Sequence, residues 1–474
     1  MKQLLPIMFM MMVLNAFILS SNSVVYASSR SELTSLPLLQ GKFSEKQYTG
    51  FVDIPSSTQP QKKLFYWFVT AKKDPLRSPV VLWMTGGPGC SGLLAYMTEH
   101  GPYQLNQAGN MLIENPYSWN QQANIIYLEQ PYGVGYSTAN PVNSTSYPSG
   151  DKESARDNLS FIVTFLFELF PEYSKNAFFV SGESYGGNYV PLLVREILKY
   201  NANQPSKKIA LKGLSVGNPT MDGNLDANGY FPFMYNHALV GSEEFLQYQK
   251  ECPNFLTPSQ KCQDIINTMR NNIGPINPYN IYAKCLGKPS IGGACFTHQM
   301  VYSSQLKKKV PRRVMDSQTY IPCINVTTTT NYFNRRDVQL AIHAIGASEN
   351  TKEWDVCSPY LQYNDIVDSM IPVYQEIYQL NPSLLTLIYS GDVDSCCPYP
   401  STELVVMKFG FSISIPYHPY FLDNQVVGYI KGYNTEKNIF FATVKNAGHM
   451  VPTYQPEVAL KLFNAFLTCS LSSL

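Results

Sequence analysis

The sequence is short of charge and of histidine. Only 15% of its 474 residues are Asp, Glu, Lys or Arg, the formal net charge is +1, and there are six histidines. The densest basic cluster, Lys307, Lys308, Lys309, Arg312 and Arg313, reads as a solvated loop, so nucleic acid is not an expected partner. Past the N-terminal segment no apolar run approaches the length needed to cross a membrane. No C-x-x-C pairs with a second C-x-x-C or with H-x-H at a ligand spacing, which argues against a zinc site. There is no internal repeat and no low-complexity tract.

What is present points to a large globular chain. Apolar residues make up 45% and aromatics 13%, enough for a sizeable core, and the length fits one large α/β domain with an insertion, or two domains. The N-terminus carries Lys2, an apolar stretch from Leu4 to Leu19 and then small residues, with Val25-Tyr26-Ala27 fitting an A-x-A-like cleavage site. This is the pattern of a secretory signal peptide over residues 1–27. Ten cysteines agree with passage through an oxidising compartment, and five of them lie between Cys252 and Cys323, as in a stapled insertion. Asn143 and Asn325 are sequons in polar stretches; Asn158 matches the pattern inside a helical segment and is weaker.

The segment around which the chain is organised is Phe178-Phe179-Val180-Ser181-Gly182-Glu183-Ser184-Tyr185-Gly186-Gly187. An apolar run stops at G-x-S-x-G and a helical pattern follows (Val190, Val194, Ile197, Leu198), which is the strand, turn and helix of a nucleophile elbow with Ser184 at its tip. Further strands are expected at Leu64–Thr70, Val80–Met84, Ile125–Leu128, Ile209–Asn218, Leu384–Tyr389 and Ile439–Val444, with a helix over Asp151–Phe170. Alternation of strand and helix predicts a mostly parallel sheet covered on both faces. Residues 28–221 and 331–474 read as the two parts of this core. Residues 222–330, rich in Tyr, Asn, Pro and Cys with weak periodicity, read as an inserted cap.

A serine hydroxyl needs an imidazole to take its proton, and the imidazole needs a carboxylate to fix its tautomer. His343 lies in an apolar helical pattern and reads as packed; His100, His237, His298 and His418 read as loop residues with no strand before them. His449 follows a strand and a glycine turn near the C-terminus, giving the order Ser, Asp, His of an α/β-hydrolase. In Gly391-Asp392-Val393-Asp394 both acids are candidates; Asp392 can cap its own loop, and Asp394 is the better placed to reach the histidine. The glycines of Thr85-Gly86-Gly87-Pro88-Gly89, directly after a strand, suggest a loop whose N–H groups approach a ligand.

The runs TGGPGCSG, EQPYGVGYS, GESYGGNYVP, YSGDVDSCCP and NAGHMVPTYQP resemble, in order and across nearly the whole mature chain, the signature segments of the serine carboxypeptidases. That family includes plant and yeast vacuolar carboxypeptidases and lysosomal cathepsin A. The resemblance implies an α/β-hydrolase fold and an exopeptidase without metal or organic cofactor, with Ser184 as nucleophile, His449 as base, Asp394 as orienter, and Gly87 and Tyr185 N–H groups as oxyanion hole. It further implies that Glu99 and Glu183 hold the free carboxylate of a peptide or protein C-terminus. Close carboxyls that meet a third cannot all ionise, so binding should favour acidic pH. The family's Asn at this site is Thr85 here, which has shorter reach. The resemblance also implies the disulfides Cys90–Cys357, Cys252–Cys262 and Cys285–Cys323 and a thiol at Cys397, leaving Cys295, Cys396 and Cys469 unassigned. It points to a secreted or lysosomal or vacuolar location. An acyltransferase or esterase on the same scaffold, or a catalytically idle protective protein, stays open, as does a homodimer.

Overall fold

Alternation along three apolar runs decides the centre of the molecule. In LFYWFV, VVLWM and NIIYL successive side chains enter opposite cores: Tyr66, Phe68, Leu82 and Ile126 on one side, Trp67, Val69, Trp83 and Tyr127 on the other. Strands buried on both faces need no polar positions, which is why these runs read as continuously apolar. The computed structural model describes residues 28–474 except 56–60, 141–146, 254–257, 287–289, 292–299, 304–307, 312–322 and 435–437. The signal segment, Asn143, Cys295 and His298 therefore lie outside the described residues.

The main sheet has twelve strands. In chain order they are β1 (Ser31–Glu32), β2 (Gln47–Ile54), β3 (Gln61–Val69), β4 (Val80–Met84), β5 (Asn124–Leu128), β6 (Thr138–Asn140), β7 (Phe178–Glu183), β8 (Leu211–Gly217), β9 (Leu385–Gly391), β10 (Ile413–Leu422), β11 (Gln425–Tyr433) and β12 (Ile439–Val444). The central run β5-β4-β7-β8-β9-β12 is parallel throughout, as the alternation of strand and helix predicts. Antiparallel strands extend it at both edges: β1, β2 and β3 beside β5, and β11 and β10 beside β12. Helices α2 (Asp151–Thr164), α3 (Gly186–Asn203) and Ile371–Leu380 cover one face, and α1 (Gly92–Thr98) with Pro456–Leu467 covers the other. From β4 the chain crosses to β5 on one side and to β7 on the other, and loops diverging from such a switch point open a crevice at the carboxyl ends of the strands.

Within residues 222–330 the structure is more regular than the composition suggests. Gly223–Asn228, Tyr230–Asn236, Ser242–Glu251 and Gln260–Ile273 are helices that bury Phe231, Phe233, Tyr248, Ile266 and Met269 in a core of their own. The three disulfides implied by the family resemblance are all formed, and Cys397 is a thiol. Cys396 is also disulfide-bonded, while Cys469 is an exposed thiol. Asn158 is buried in α2, where its Nδ2 donates to Gln130 Oε1 at 3.1 Å, so that sequon is closed in the folded chain; Asn325 is exposed.

Two histidine readings are corrected. His343 is not packed within a helix: Arg336–Ala341 ends before it, and at φ 57° it takes the left-handed position that closes the helix, its side chain exposed and 3.2 Å from Thr49 Oγ1. His418 lies within edge strand β10, not in a loop.

Two carboxyls deep in the fold are held for structural reasons. Glu129 accepts from Ser91 Oγ (2.5 Å), Trp354 Nε1 (2.8 Å) and Tyr136 N (2.6 Å), and Asp226 accepts from the N–H groups of Met221 and Asp222. Burial outweighs those bonds and pushes both up to about 7. The folded state thus holds protons that the unfolded chain releases near pH ~4. The associated stability is complete at low pH and lost as pH rises toward 7, on the order of a few kcal/mol per group. The melting temperature should accordingly fall by several degrees between pH 5 and 8 in differential scanning calorimetry; a flat or rising profile would contradict this assignment.

Candidate active site

The site is assembled at the carboxyl ends of five consecutive parallel strands. Thr85 and the glycine loop follow β4, Ser184 follows β7, Asn218 follows β8, Asp394 follows β9 and His449 follows β12. Residues far apart in sequence converge because each loop leaves the same edge of one sheet.

Ser184 sits at the tip of the expected elbow with φ 62°, in the left-handed region that a non-glycine residue adopts only when its surroundings impose it. Here its N–H donates to Gly217 O (3.0 Å) while its carbonyl accepts from Gly187 N (2.9 Å) and Thr220 N (3.0 Å). A Cβ at Gly182 would come within 2.7 Å of Met84 O, so this turn can form only with glycine there. At Gly86 a Cβ would lie 2.4 Å from the Tyr185 nitrogen, so its absence leaves that amide open. Gly87, at φ 118°, lies in the same loop. The Gly87 and Tyr185 segments named from the family resemblance are therefore neighbours.

Asp394 is fully buried and receives hydrogen bonds at both oxygens. Cys396 N donates to Oδ1 (2.7 Å); Cys397 N (3.2 Å), Asn218 Nδ2 (2.8 Å) and His449 Nδ1 (2.7 Å) converge on Oδ2. With a carboxylate opposite it, Nδ1 carries the ring hydrogen and Nε2 keeps its lone pair. The His449 backbone donates to Tyr279 O at 2.7 Å, and the Tyr279 ring lies 5.1 Å from the imidazole. Cys397 bridges the two halves. Its thiol hydrogen-bonds with Ser184, and its sulfur lies within 4.8 Å of a His449 ring nitrogen. Asp392 instead accepts from Asn446 N (2.7 Å) and fastens the histidine loop rather than capping only its own.

Asn218 was not read from the sequence. Its Nδ2 holds Asp394 and its Oδ1 accepts from Gly391 N at 3.1 Å, so one amide sets both the acid and the turn that carries it. The available signal was a polar residue ending the central strand Ile209–Asn218, between the serine and acid strands. Tyr279 could not have been anticipated, because it arrives from residues 222–330, where the sequence pattern is weak.

Glu99 and Glu183 are both buried and interact with each other. Neither Glu99 oxygen nor Glu183 Oε2 is satisfied by a donor among the described residues. Two carboxyls can bond to each other only if one carries a proton, and burial supplies the reason: Glu99 is pushed up to about 7, and Glu183 well above the ordinary carboxylate range, first by burial and then by the charge of Glu99. Thr85 Oγ1 accepts from Trp83 Nε1 at 3.0 Å, so its single hydrogen remains to be donated. His100, next to Glu99, is a core residue: its ring stacks on Trp119 at 4.0 Å, and burial pushes it down to about 3. Cys396, Cys397 and His449 lie close enough to suggest a metal, but the Cys396 sulfur is already committed to a disulfide, so the donor set does not fit one.

The model of the serine carboxypeptidase family matches residues 37–469. Serine carboxypeptidase-like 20 of Arabidopsis thaliana is 33% identical over 92% of this chain and 92% of its own. The lysosomal protective protein of Mus musculus is 34% identical over 93% of this chain and 94% of its own. Among solved structures, Kex1Δp, a prohormone-processing carboxypeptidase of Saccharomyces cerevisiae, superposes with a TM-score of 0.70 at 20% identity, over 92% of this chain and 96% of that one, a match that bears on the fold. With the family's α/β-hydrolase fold and this extent of similarity, the chain belongs to the serine carboxypeptidases.

Proposed function

We propose that this serine carboxypeptidase releases C-terminal residues from peptides and proteins at acidic pH through an acyl-enzyme on Ser184. His449 Nε2 takes the Ser184 proton as the hydroxyl attacks the scissile carbonyl, and the imidazolium that forms is steadied by Asp394. The N–H groups of Gly87 and Tyr185 receive the developing oxyanion. His449 then protonates the departing amine, and water repeats the sequence to free the shortened peptide. The observation that carries the exopeptidase reading is the buried acid pair next to the nucleophile. A serine hydrolase that cuts within chains has no use for two carboxyls whose proton is retained by burial, whereas one that must bind a terminal carboxylate does. Residues 222–330 would act as the cap over this crevice. A signal-like N-terminus, the disulfides and the similarity to a lysosomal protein favour the secretory pathway, ending outside the cell or in a lysosome or vacuole.

Two assays test this. A fluorophosphonate should label the enzyme at Ser184, and a blocked dipeptide should release its C-terminal amino acid between pH 4 and 8. Labelling without release, or release only when an alcohol acceptor is added, would replace the peptidase by an idle protein or an acyltransferase.

Thr85 supplies a further prediction. An asparagine there could still accept from Trp83 through Oδ1 and would turn two amide hydrogens toward the carboxylate. Thr85→Asn should lower KM for a blocked dipeptide by about tenfold, the scale of one added hydrogen bond to a charged group. An unchanged or higher KM would count against this role for Thr85.

A further inference from the structure

Asp151, the first residue of α2, takes no part in the steps above, yet it is buried and collects four hydrogen bonds. Its Oδ1 accepts from Tyr363 Oη (2.7 Å) and Tyr185 Oη (3.1 Å), and its Oδ2 from Val367 N (2.7 Å) and Asn188 Nδ2 (3.3 Å). Tyr185 and Asn188 come from the elbow and the first turn of α3, Tyr363 from the strand Leu361–Asp365, which pairs with Tyr147–Gly150 just before Asp151, and Val367 from the segment after that strand. Tyr185 and Asn188 belong to the first turn after the nucleophile. A carboxylate surrounded by four donors suits this place, and no neutral side chain of the same shape can accept from all of them.

We infer that Asp151 is a positioning residue for the oxyanion hole, acting through the Tyr185 phenol. This rests on the assignment of the Tyr185 N–H as an oxyanion donor. Tyr185 has two anchors: its backbone is fixed in the elbow, and its phenol is fixed 3.1 Å from Asp151. With the far end of the side chain held, the peptide plane that presents the N–H cannot rotate away from the reacting carbonyl. The partner loop is tied into the same group, because Tyr189 Oη accepts from Gly89 N at 3.2 Å. Tyr185, Tyr189 and Tyr363 pack edge to face, with ring centroids 5.1 to 6.1 Å apart, so both donor segments lean on one cluster. Small displacements matter here, since a misplacement of about 1 Å can cost on the order of 10²-fold in rate.

The test compares Asp151→Asn, Tyr185→Phe and their combination with the parent enzyme. Each single change should lower kcat by about 10- to 100-fold at nearly constant KM, and the double variant should be no worse than either, because both break the same link. A peptide boronate, which forms a tetrahedral adduct on serine, should lose affinity by the same factor, while a free amino acid, which occupies only the product site, should bind as before. Equal weakening of both ligands, an unchanged kcat, or additive losses would overturn the inference. If Asp151→Asn does not fold, Tyr185→Phe carries the same comparison, since it removes one oxygen and leaves the backbone donor in place. Fluorophosphonate labelling of the parent at Ser184 separates the two levels: without it the acyl-enzyme reading fails too, and with it an unaltered variant overturns Asp151 alone.

Discussion

Asp394→Asn should fold as the parent does and lose about 10⁴-fold in kcat, the scale set by the same change in serine proteases of unrelated fold. The loss follows from the direction of its hydrogen bonds. Cys396 N, Cys397 N and Asn218 Nδ2 all donate to this residue, so it must accept everywhere they point. If the asparagine places Oδ1 toward His449, its amide group meets the N–H of Cys396. If it turns over, its amide group faces Cys397 N and Asn218 Nδ2 instead and presents hydrogens to Nδ1, which then accepts, and the proton moves to Nε2. A protonated Nε2 cannot take the hydrogen of Ser184. Volume is conserved, so the variant should still fold, with a melting temperature lowered by the buried donors left unpaired, while kcat collapses and KM for a blocked dipeptide stays near its parent value. A loss below tenfold would show that His449 does not depend on this carboxylate.

The second large effect is in pH. A peptide's terminal carboxylate is ionised above pH ~4, so it can lie against Glu99 and Glu183 without facing a second negative charge only while both keep their protons. Burial lifts Glu99 to about 7 and raises Glu183 well above the ordinary carboxylate range, placing the loss of the first proton near neutrality. KM should therefore be nearly constant from pH 5 to 6.5 and rise about tenfold per unit at higher pH, approaching 100-fold by pH 9. A double variant, Glu99→Gln with Glu183→Gln, keeps hydrogen-bond donors at both positions and cannot ionise. Its KM should stay flat over the same range. A parent profile without the rise, or a rise that survives in the double variant, would remove these acids from substrate binding.

Much of this site could be read in one dimension because its chemistry is local to short segments. The elbow needs glycine on both sides of Ser184, an apolar strand before it and a helix after it, all between Phe178 and Asn203. Likewise Asp394 and His449 each follow a buried strand by a few residues, so apolar runs ending in GDVD and NAGH disclose the site's position without contacts being known. Residues 222–330 were less legible. Their helices are short and rich in Tyr and Asn, and the periodicity emerges only where Phe231, Tyr248 and Met269 meet in a shared core.

By itself, then, the sequence determined the alternation of strand and helix in the parallel part of the sheet, the turn that carries Ser184, and the pairing of six cysteines through likeness to a family, and it singled out Ser184, His449, Asp394, Glu99 and Glu183 as candidates. These are properties of near neighbours along the chain or of motifs repeated intact among relatives. Only the tertiary structure decided that Asn218 steadies Asp394, that Asp151 grips the phenol of Tyr185, that Tyr279 meets His449, and that Glu99 and Glu183 are buried together. Each of those joins groups separated by tens to hundreds of residues. Their energies depend on distance, direction and exclusion of water, which exist only after the sheet has brought its loops to one edge.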